Sequence, residues 1–401
     1  MNDLSPILIY SLVTGLIILL VSNKKSENGL FFWYISITTL YVVPPLIDDY
    51  LGSIKYDSIN FLAYYSCIAN IAFTFGYLTF RPNTVLEKFK IYRVVNFNKG
   101  DLFFLLAVVA FFYSIHHSFN SFEELASPYL VIENFNEQNT YEKIKIWSIY
   151  VLSTIFLVKS TTTNNKIFNL RNIIYFIIII LVISILILRG NRNLLAILII
   201  PSLVFKFNIW KYNKTIFFIL TLFMLSIGQI IDYVRAIGFS HIDSMNDIDM
   251  ALSIGEFGQA ARGLDLYFST PSSDIEYGAT YTLHVFYNLL TNFGFPFSPL
   301  STYYSNLWSI DKIVGYGFSP VLESYINFGY IGFIVYIIFG IIIKYINNFK
   351  NSNNFFKFNL YFIAYPLILN FQRIDFPVLV KIFILPVFIL YLYSKLKAYK
   401  N

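Results

Sequence analysis

The chain is poor in charged residues and contains one cysteine. Asp, Glu, Lys and Arg make up 13% of its 401 residues, whereas 57% are hydrophobic and 20% are aromatic. Soluble globular proteins carry about 25% charged residues, so this composition excludes a soluble globule and indicates a polytopic membrane protein. Cys67 lies inside an apolar run and is expected to be a packed thiol, because the chain offers it no disulfide partner.

Motifs of several common classes are also absent. The chain has no P-loop, no Gly-x-Ser-x-Gly nucleophile motif, no His-Glu-x-x-His zinc motif and no basic secretory signal at its start. The net charge of +6 does not indicate nucleic acid, because the lysines fall in small groups between apolar runs rather than on one face. Asp48 and Asp49 have no partner acids at a fixed spacing, so we predict no metal, and we predict no cofactor.

Long apolar runs fill most of the chain. About 20 apolar residues cross a bilayer as a helix, and eleven runs approach this length. We therefore predict an all-α polytopic membrane protein with about 11 transmembrane helices. Their expected ranges are 5–22, 29–47, 59–80, 102–118, 144–158, 172–188, 193–207, 215–234, 324–343, 358–371 and 376–394.

The charged connectors alternate in sign along the chain. Cytoplasmic loops hold an excess of Lys and Arg. When the connectors are taken alternately, one set contains 19 of the 29 basic residues and 3 of the 23 acids. This alternation predicts an N-terminus outside and a C-terminus in the cytoplasm. Residues 235–323 then form an extracytoplasmic loop subdomain with short interfacial helices, on a single membrane domain that spans residues 1–401.

Arginine is distributed differently from lysine. The cytoplasmic connectors use 16 Lys and 3 Arg, whereas five arginines fall on the outer side, where topology disfavours them. A guanidinium group can grip phosphate oxygens at two points, which a lysine cannot do. An outward-facing diphosphate site is the simplest common explanation for Arg189, Arg192, Arg235, Arg262 and Arg373.

Arg189 and Arg192 flank a short reversal between two apolar runs. Arg189 follows Arg171 by 18 residues, and Arg192 precedes Lys206 by 14. At about 1.5 Å per helical residue, both arginines should lie at or below the outer edge of a hydrocarbon core about 30 Å thick. An arginine at that depth normally faces a cavity or a partner. They are either ligands of an anion or helix-end anchors that snorkel to the interface.

The outer segment contains candidates for proton transfer. Glu256, Gln259 and Arg262 recur at every third position, which would give one polar stripe on a helix. Glu256 could act there as a general base and Arg262 as a phosphate ligand, or the stripe could be a solvated face. Histidine suits proton transfer near neutral pH, although His284 on its aromatic segment could also be structural. Asp247-Ile248-Asp249 resembles the acidic pair that holds a metal in nucleotide-sugar transferases. It falls on the predicted outer side, however, where nucleotide sugars are not expected.

A second short outer connector, NFQRIDFP, carries Arg373 next to Asp375. The two residues either form a local ion pair or Arg373 contributes to the anion site. Lys381 follows eight residues later, about 12 Å along the last helix, where it lies inside the pocket or pairs with a carboxylate. Asp232 and Arg235 are expected to form a local ion pair.

The chain resembles the O-antigen polymerase family, the Wzy-type oligosaccharide repeat-unit polymerases of bacterial surface polysaccharides. The matching features are the Arg-Gly-x-Arg turn after an apolar span and the outer motifs GEFGQA, DLYF and YGATYT. The most specific part is the run GYGFSPVLESYINFGYIGFIVYIIFG, which contains Glu323 and Asn327. These motifs lie after Ile180, and the first half matches as a string of spans.

The resemblance implies a metal-independent glycosyltransferase of the all-helical, GT-C-like class on the outer face of the cytoplasmic membrane. It would transfer a growing glycan from one undecaprenyl diphosphate carrier to the repeat unit on another. A chain-length regulator and a flippase are candidate protein partners, and membrane lipid surrounds the protein. The diphosphate leaving group needs cationic stabilisation, which could come from Arg189, Arg192, Arg262, Arg373 and Lys381.

Roles for the remaining candidates follow from the same resemblance. Glu256 is the first candidate for the base that accepts the hydroxyl proton of the acceptor, and His284 is the second. Glu323 would hydrogen-bond sugar hydroxyls or cap the late span. Arg235, Asp265 and Tyr281 are the other candidates for substrate contacts.

Other functions remain open at this point. An O-antigen ligase would share the layout and differ in its acceptor. A flippase or another transporter of lipid-linked oligosaccharides should show paired repeats and ionisable residues near the membrane midplane. The candidates here cluster toward one face, which favours the polymerase.

Overall fold

The structure is a computed structural model that describes residues 4–22, 28–80, 98–118, 140–162, 170–188, 192–206, 252, 255–270, 276–290, 319–352 and 354–398. Within these ranges every regular element is a helix. The α-helices are α1 (Ser5–Ser22), α2 (Gly29–Leu51), α3 (Ile59–Thr79), α4 (Asn98–Ser118), α5 (Thr140–Thr162), α6 (Leu170–Leu188), α7 (Arg192–Lys206), α8 (Gln259–Ser269), α9 (Leu283–Leu290), α10 (Pro320–Phe328), α11 (Phe333–Asn347), α12 (Phe355–Phe371) and α13 (Phe376–Ala398).

The apolar helices agree with the predicted membrane spans. Ser5–Ser22, Gly29–Leu51, Ile59–Thr79 and Pro320–Lys350 are long and apolar enough to cross a membrane. Shorter apolar helices occupy six further predicted positions within α4, α5, α6, α7, α12 and α13. The predicted span 215–234 lies outside the described residues. An all-helical, polytopic membrane protein is confirmed, and the count of eleven spans stays a prediction.

The ninth predicted span differs from its expected form. Instead of one helix over 324–343, α10 ends at Phe328, a 3₁₀ turn covers Gly329–Gly332, and α11 begins at Phe333. Gly329 has a φ of 59°, which favours glycine. A Cβ on Gly332 would overlap with the carbonyl oxygen of Ser324. The sequence therefore breaks the helix at glycines that hydropathy alone does not distinguish from the rest of the span.

The chain forms two compact units. Unit 1 contains residues 1–83, 210–347 and 368–381, and unit 2 contains residues 84–209, 348–367 and 382–401. The predicted membrane domain 1–401 and loop subdomain 235–323 stay predictions.

In unit 2, helices α4 to α7 share an apolar core. Phe111, Leu152, Val182 and Leu198 are buried in it, one from each helix. Ser153 donates a 2.6 Å hydrogen bond to the carbonyl oxygen of Ile197 and so links α5 to α7. Van der Waals packing and interhelical hydrogen bonds are the interactions by which such helices associate in a membrane.

In unit 1, the core is largely aromatic. The ring of Tyr34 in α2 stacks on Phe73 in α3, with centroids 3.6 Å apart, and Phe339 in α11 stacks on Phe371 at 4.1 Å. Aromatic side chains bury a large apolar area each, so rings packed in this way contribute much of the buried surface of the core. This core supports the ends of α10, α12 and α13 described next.

Candidate functional site

Arg373 lies in the turn between α12 and α13. Its backbone N–H donates to the carbonyl oxygen of Asn370 at 3.0 Å, and its side chain is half-buried. The preceding residue, Gln372, donates from Nε2 to the hydroxyl of Thr38 in α2 at 3.0 Å. Asp375, buried at 1% exposure, immediately precedes α13. The sequence predicted this short connector correctly but not its attachment to α2.

Glu323 binds the first turn of α13. The side chain is 1% exposed, and its Oε1 and Oε2 accept the N–H of Phe376 at 3.1 and 2.9 Å. The first N–H groups of a helix have no partner within the helix and favour a negative charge. Glu323 is thus a cap, although for α13 rather than for its own helix. Its own helix α10 begins with Pro320 after Ser319, whose hydroxyl accepts the N–H of Val321 at 3.1 Å.

Two more buried polar residues surround Glu323. The Nδ2 of Asn327 donates to the Thr280 hydroxyl at 2.6 Å and to the carbonyl oxygen of Glu323 at 2.8 Å. The N–H of Thr280 donates to Asn327 Oδ1 at 3.3 Å, and the Thr280 hydroxyl also interacts with the Glu323 carboxylate. Because buried polar groups are costly when unpaired, these contacts fix the segment at Thr280 against α10. We call Thr280, Glu323, Asn327 and Asp375, together with the backbone N–H of Phe376, the buried polar cluster.

Tyr281 lies beside this cluster. Its ring stacks on Phe328 with centroids 5.9 Å apart and contacts the ring of Phe376 at 5.0 Å. Its hydroxyl is buried and, within the part of the chain that the structure describes, has no hydrogen-bond partner. Burial and the negative charge of Glu323 raise the pKa of Tyr281 well above its usual value. Tyr281 is therefore a neutral donor.

The glycine of the YGATYT motif, Gly278, packs against the ring of Phe328. Gly278 has a φ of 82°, and a Cβ added there would lie 2.8 Å from the ring of Phe328. Such a conformation is readily adopted by glycine alone. The turn then leads through the 3₁₀ segment Ala279–Tyr281 into α9.

Helix α8 carries Arg262 and Asp265 in half-buried positions. Asp265 Oδ1 accepts the N–H of Ser58 at 2.7 Å, just before α3 begins. Burial raises the pKa of Asp265, and hydrogen bonds from Ser58 oppose that rise. The helix also approaches α10 closely, since a Cβ on Gly263 would lie 3.1 Å from Leu322 Cδ2. Asp265 therefore secures α8 to the rest of unit 1.

The predicted stripe that includes Glu256 takes a different form. Glu256 belongs to the 3₁₀ segment Gly255–Gly258, whereas Gln259 and Arg262 belong to α8. Two glycines within four residues disfavour a continuous α-helix, which accounts for the tighter turn. The side chains of Glu256 and Gln259 lie outside the described set.

The remaining predicted residues lie on other elements or outside the described residues. His284 is half-buried on α9, and Lys381 is half-buried on α13. Arg189 and Arg235 lie outside the described residues, and Arg192 is described only as the first residue of α7. The structure thus brings together Tyr281, Glu323 and the turn of Arg373.

Sequence reasoning missed some contributors to the site. Thr280, Thr38 and Gln372 are uncharged and carry no signal of their own, although YGATYT and the run with Glu323 were both noted as motifs. Among the described residues, no three His, Cys, Asp or Glu side chains are grouped as metal ligands.

The comparisons with known proteins identify the family. No curated protein and no solved structure matches the chain. The model of the family "O-antigen polysaccharide polymerase Wzy" matches residues 2–401, which is nearly the whole chain. The apolar helices and this family match together indicate a multi-pass membrane protein, and the family resemblance seen in the late motifs is confirmed. The chain belongs to the Wzy family of O-antigen polysaccharide polymerases.

Proposed function

We propose that this polymerase joins undecaprenyl-diphosphate-linked oligosaccharide repeat units into O-antigen or capsule on the outer face of the cytoplasmic membrane. Family membership supports the polymerase role in polysaccharide biosynthesis. The alternation of basic and acidic connectors supports an outer location for residues 235–323 and for the turn of Arg373.

The proposed reaction is a glycosyl transfer between two lipid carriers. A hydroxyl oxygen of the acceptor repeat unit attacks the anomeric carbon of the donor glycan. The bond from that carbon to the phosphate oxygen breaks, and undecaprenyl diphosphate leaves with the electron pair. The hydroxyl proton passes to a base, for which Glu256 is the first candidate and His284 the second.

The geometry at the start of α13 carries the proposal. Arg373 lies on a turn that is attached to α2, and the ring of Tyr281 contacts Phe376 three residues further along. A half-buried guanidinium and a neutral phenol are donors for phosphate and sugar oxygens. Donors that are already held in place stabilise developing charge without reorganisation. We therefore propose Arg373 as a ligand of the leaving diphosphate and Tyr281 as a substrate contact.

The two carboxylates predicted as substrate contacts have another use. Asp265 accepts the N–H of Ser58, and Glu323 accepts the N–H of Phe376. We propose that both support the site rather than contact sugar. Arg189, Arg192, Arg262 and Lys381 are proposed as further phosphate ligands, and Arg235 as a further substrate contact, on the sequence argument given above.

Deletion of the gene in its source bacterium tests the activity. We expect the acceptor of the surface glycan to carry a single repeat unit on a gel, because unpolymerised units can still be transferred. A plasmid with the wild-type gene should restore the ladder. Complete loss of repeat units from the acceptor would instead indicate a ligase or a flippase.

A further inference from the structure

The turn that carries Arg373 is held from two sides by buried side chains of other helices. We propose that Glu323 is a positioning residue: together with the pair of Gln372 and Thr38, it fixes the turn Gln372–Asp375 and so sets the place of the Arg373 guanidinium. The inference rests on the proposed function, because it assigns this fixed position to binding of the donor diphosphate.

The first attachment joins α10 to the end of the turn. Glu323 and Phe376 are 53 positions apart in the chain, and both carboxylate oxygens lie within hydrogen-bond distance of the Phe376 N–H. The carboxyl oxygens of Glu323 accept this N–H at a buried side chain, and burial excludes water as a replacement acceptor. The carboxylate also interacts with the Thr280 hydroxyl. Movement of the Phe376 backbone would therefore break its contact with the buried Glu323 side chain.

The second attachment joins α2 to the start of the turn. Gln372, at 5% exposure, donates to the hydroxyl of Thr38, which is 334 positions earlier in the chain. That hydroxyl in turn donates to the carbonyl oxygen of Tyr34 at 2.9 Å, one turn back along α2. The orientation of Thr38 is thus fixed by its own helix, and Gln372 binds a rigid acceptor.

Between the two attachments, the backbone is fixed locally as well. The N–H groups of Arg373 and Ile374 both donate to the carbonyl oxygen of Asn370, at 3.0 and 3.1 Å. The position of the Arg373 backbone is consequently determined at both ends and in the middle. A misplacement of about 1 Å in a catalytic group can cost about 100-fold in rate, which gives this rigidity a function.

A spin label at position 373 measures the proposed rigidity directly. Cys67 is the single cysteine and is buried at 6% exposure, so Cys67→Ser provides a background in which Arg373→Cys can be labelled. We expect Glu323→Leu in that background to increase the mobility of the label, because leucine cannot accept the Phe376 N–H. Glu323→Gln should leave mobility close to the background, because its amide oxygen can accept. Glu276→Leu, at a half-buried acid outside the cluster, is the matched control and should change nothing.

Activity is measured separately, in purified full-length protein that retains Arg373, with a lipid-linked repeat unit as substrate. We expect Glu323→Leu to lower kcat/KM about 100-fold, as Arg373→Ala should, and Glu323→Gln to retain activity within about 10-fold. If Glu323→Leu does not fold, both measurements are made on Thr38→Val, which removes the acceptor for Gln372 and keeps the branched shape of the side chain.

The outcomes separate the inference from the proposed function. Unchanged label mobility in Glu323→Leu and in Thr38→Val would overturn the inference, even if Arg373→Ala were inactive as the proposed function requires. A mobile label with full polymerisation would overturn both the inference and the role of Arg373 at the diphosphate.

Discussion

Gly340 in α11 lies directly against the backbone of Phe73 in α3. A Cβ on Gly340 would overlap with the carbonyl oxygen of Phe73, and a Cβ on Gly76 would overlap with that of Ile337. Small residues on both helices let two backbones approach closely, which is a common basis of helix association in membranes. The crossing of α3 and α11 therefore depends on the absence of side chains at two reciprocal positions.

Replacement of Gly340 by alanine should separate these helices. The overlap is with backbone atoms, so a change of side-chain rotamer cannot relieve it, and overpacking of this kind costs about 1–3 kcal/mol. We expect a lower melting temperature in detergent, measured by fluorescence-detected size-exclusion chromatography after heating. Gly15→Ala is the control, because nothing lies within 4 Å of a Cβ at that position. Equal melting temperatures for the two variants would contradict the close crossing.

Removal of an arginine from the predicted outer side should abolish polymer without loss of protein. Arg189→Ala, Arg192→Ala and Arg373→Ala should each reduce long-chain polysaccharide by about 100-fold or more, the cost of a lost donor to transition-state charge. Lysine at these positions should restore little, because it lacks the planar fork of arginine. Gels of surface glycan with immunoblots of the protein measure both quantities. Arg171→Ala, on the predicted cytoplasmic side, should leave the ladder normal, and normal ladders in the three outer variants would exclude the proposed anion site.

Hydropathy predicted the apolar helices well because their length is set by the bilayer. The predicted run 5–22 coincides with α1, and 29–47 and 172–188 coincide with α2 and α6 to within a few residues. The break at Gly329 was missed because a left-handed glycine scarcely alters the mean hydropathy of a window. Its position is determined by packing, since the Tyr65 hydroxyl and the Ser324 backbone leave no room for a side chain at Gly332.

The sequence indicates candidate residues for the site but not the contacts between them. Arg373 is a candidate because topology disfavours arginine on its predicted outer side, and Glu323 is a candidate from the family resemblance. The contact of Glu323 with Phe376 requires α10 and α13 to meet in space, and no local pattern encodes that meeting. Asp48 was noted as part of an acidic pair, and its Oδ1 in fact accepts the N–H of Leu252 at 2.9 Å.

Asp265 should stabilise the attachment of α8 through its oxygen rather than through its charge. Asp265→Ala removes the acceptor for the Ser58 N–H and should lower the melting temperature by about 2 °C or more. Asp265→Asn keeps an acceptor. Because burial raises the folded-state pKa of Asp265 above its unfolded value, the wild type loses stability as pH rises through that pKa, whereas Asp265→Asn does not titrate.

The melting temperature of Asp265→Asn relative to wild type should therefore increase as the pH rises from about 4, the usual pKa of an aspartate. A difference that falls as pH rises would show that the charge itself stabilises α8. The same melting assay in detergent measures all three proteins, and Asp265→Ala should stay below both others across the range.

Substitutions of Tyr281 distinguish an effect on substrate binding from an effect on protein stability. Tyr281→Phe keeps the ring contacts with Phe328 and Phe376 but removes a buried hydroxyl that lacks a hydrogen-bond partner in the described part of the chain. Removal of such a group relieves the cost of burying it unpaired, so the melting temperature should be unchanged or slightly higher. If the hydroxyl donates to substrate as proposed, kcat/KM for the lipid-linked repeat unit should fall about 10-fold. Tyr281→Ala is the matched comparison: loss of the ring should lower both stability and activity. Wild-type activity in Tyr281→Phe would show that the hydroxyl does not contact substrate and that Tyr281 contributes through packing alone.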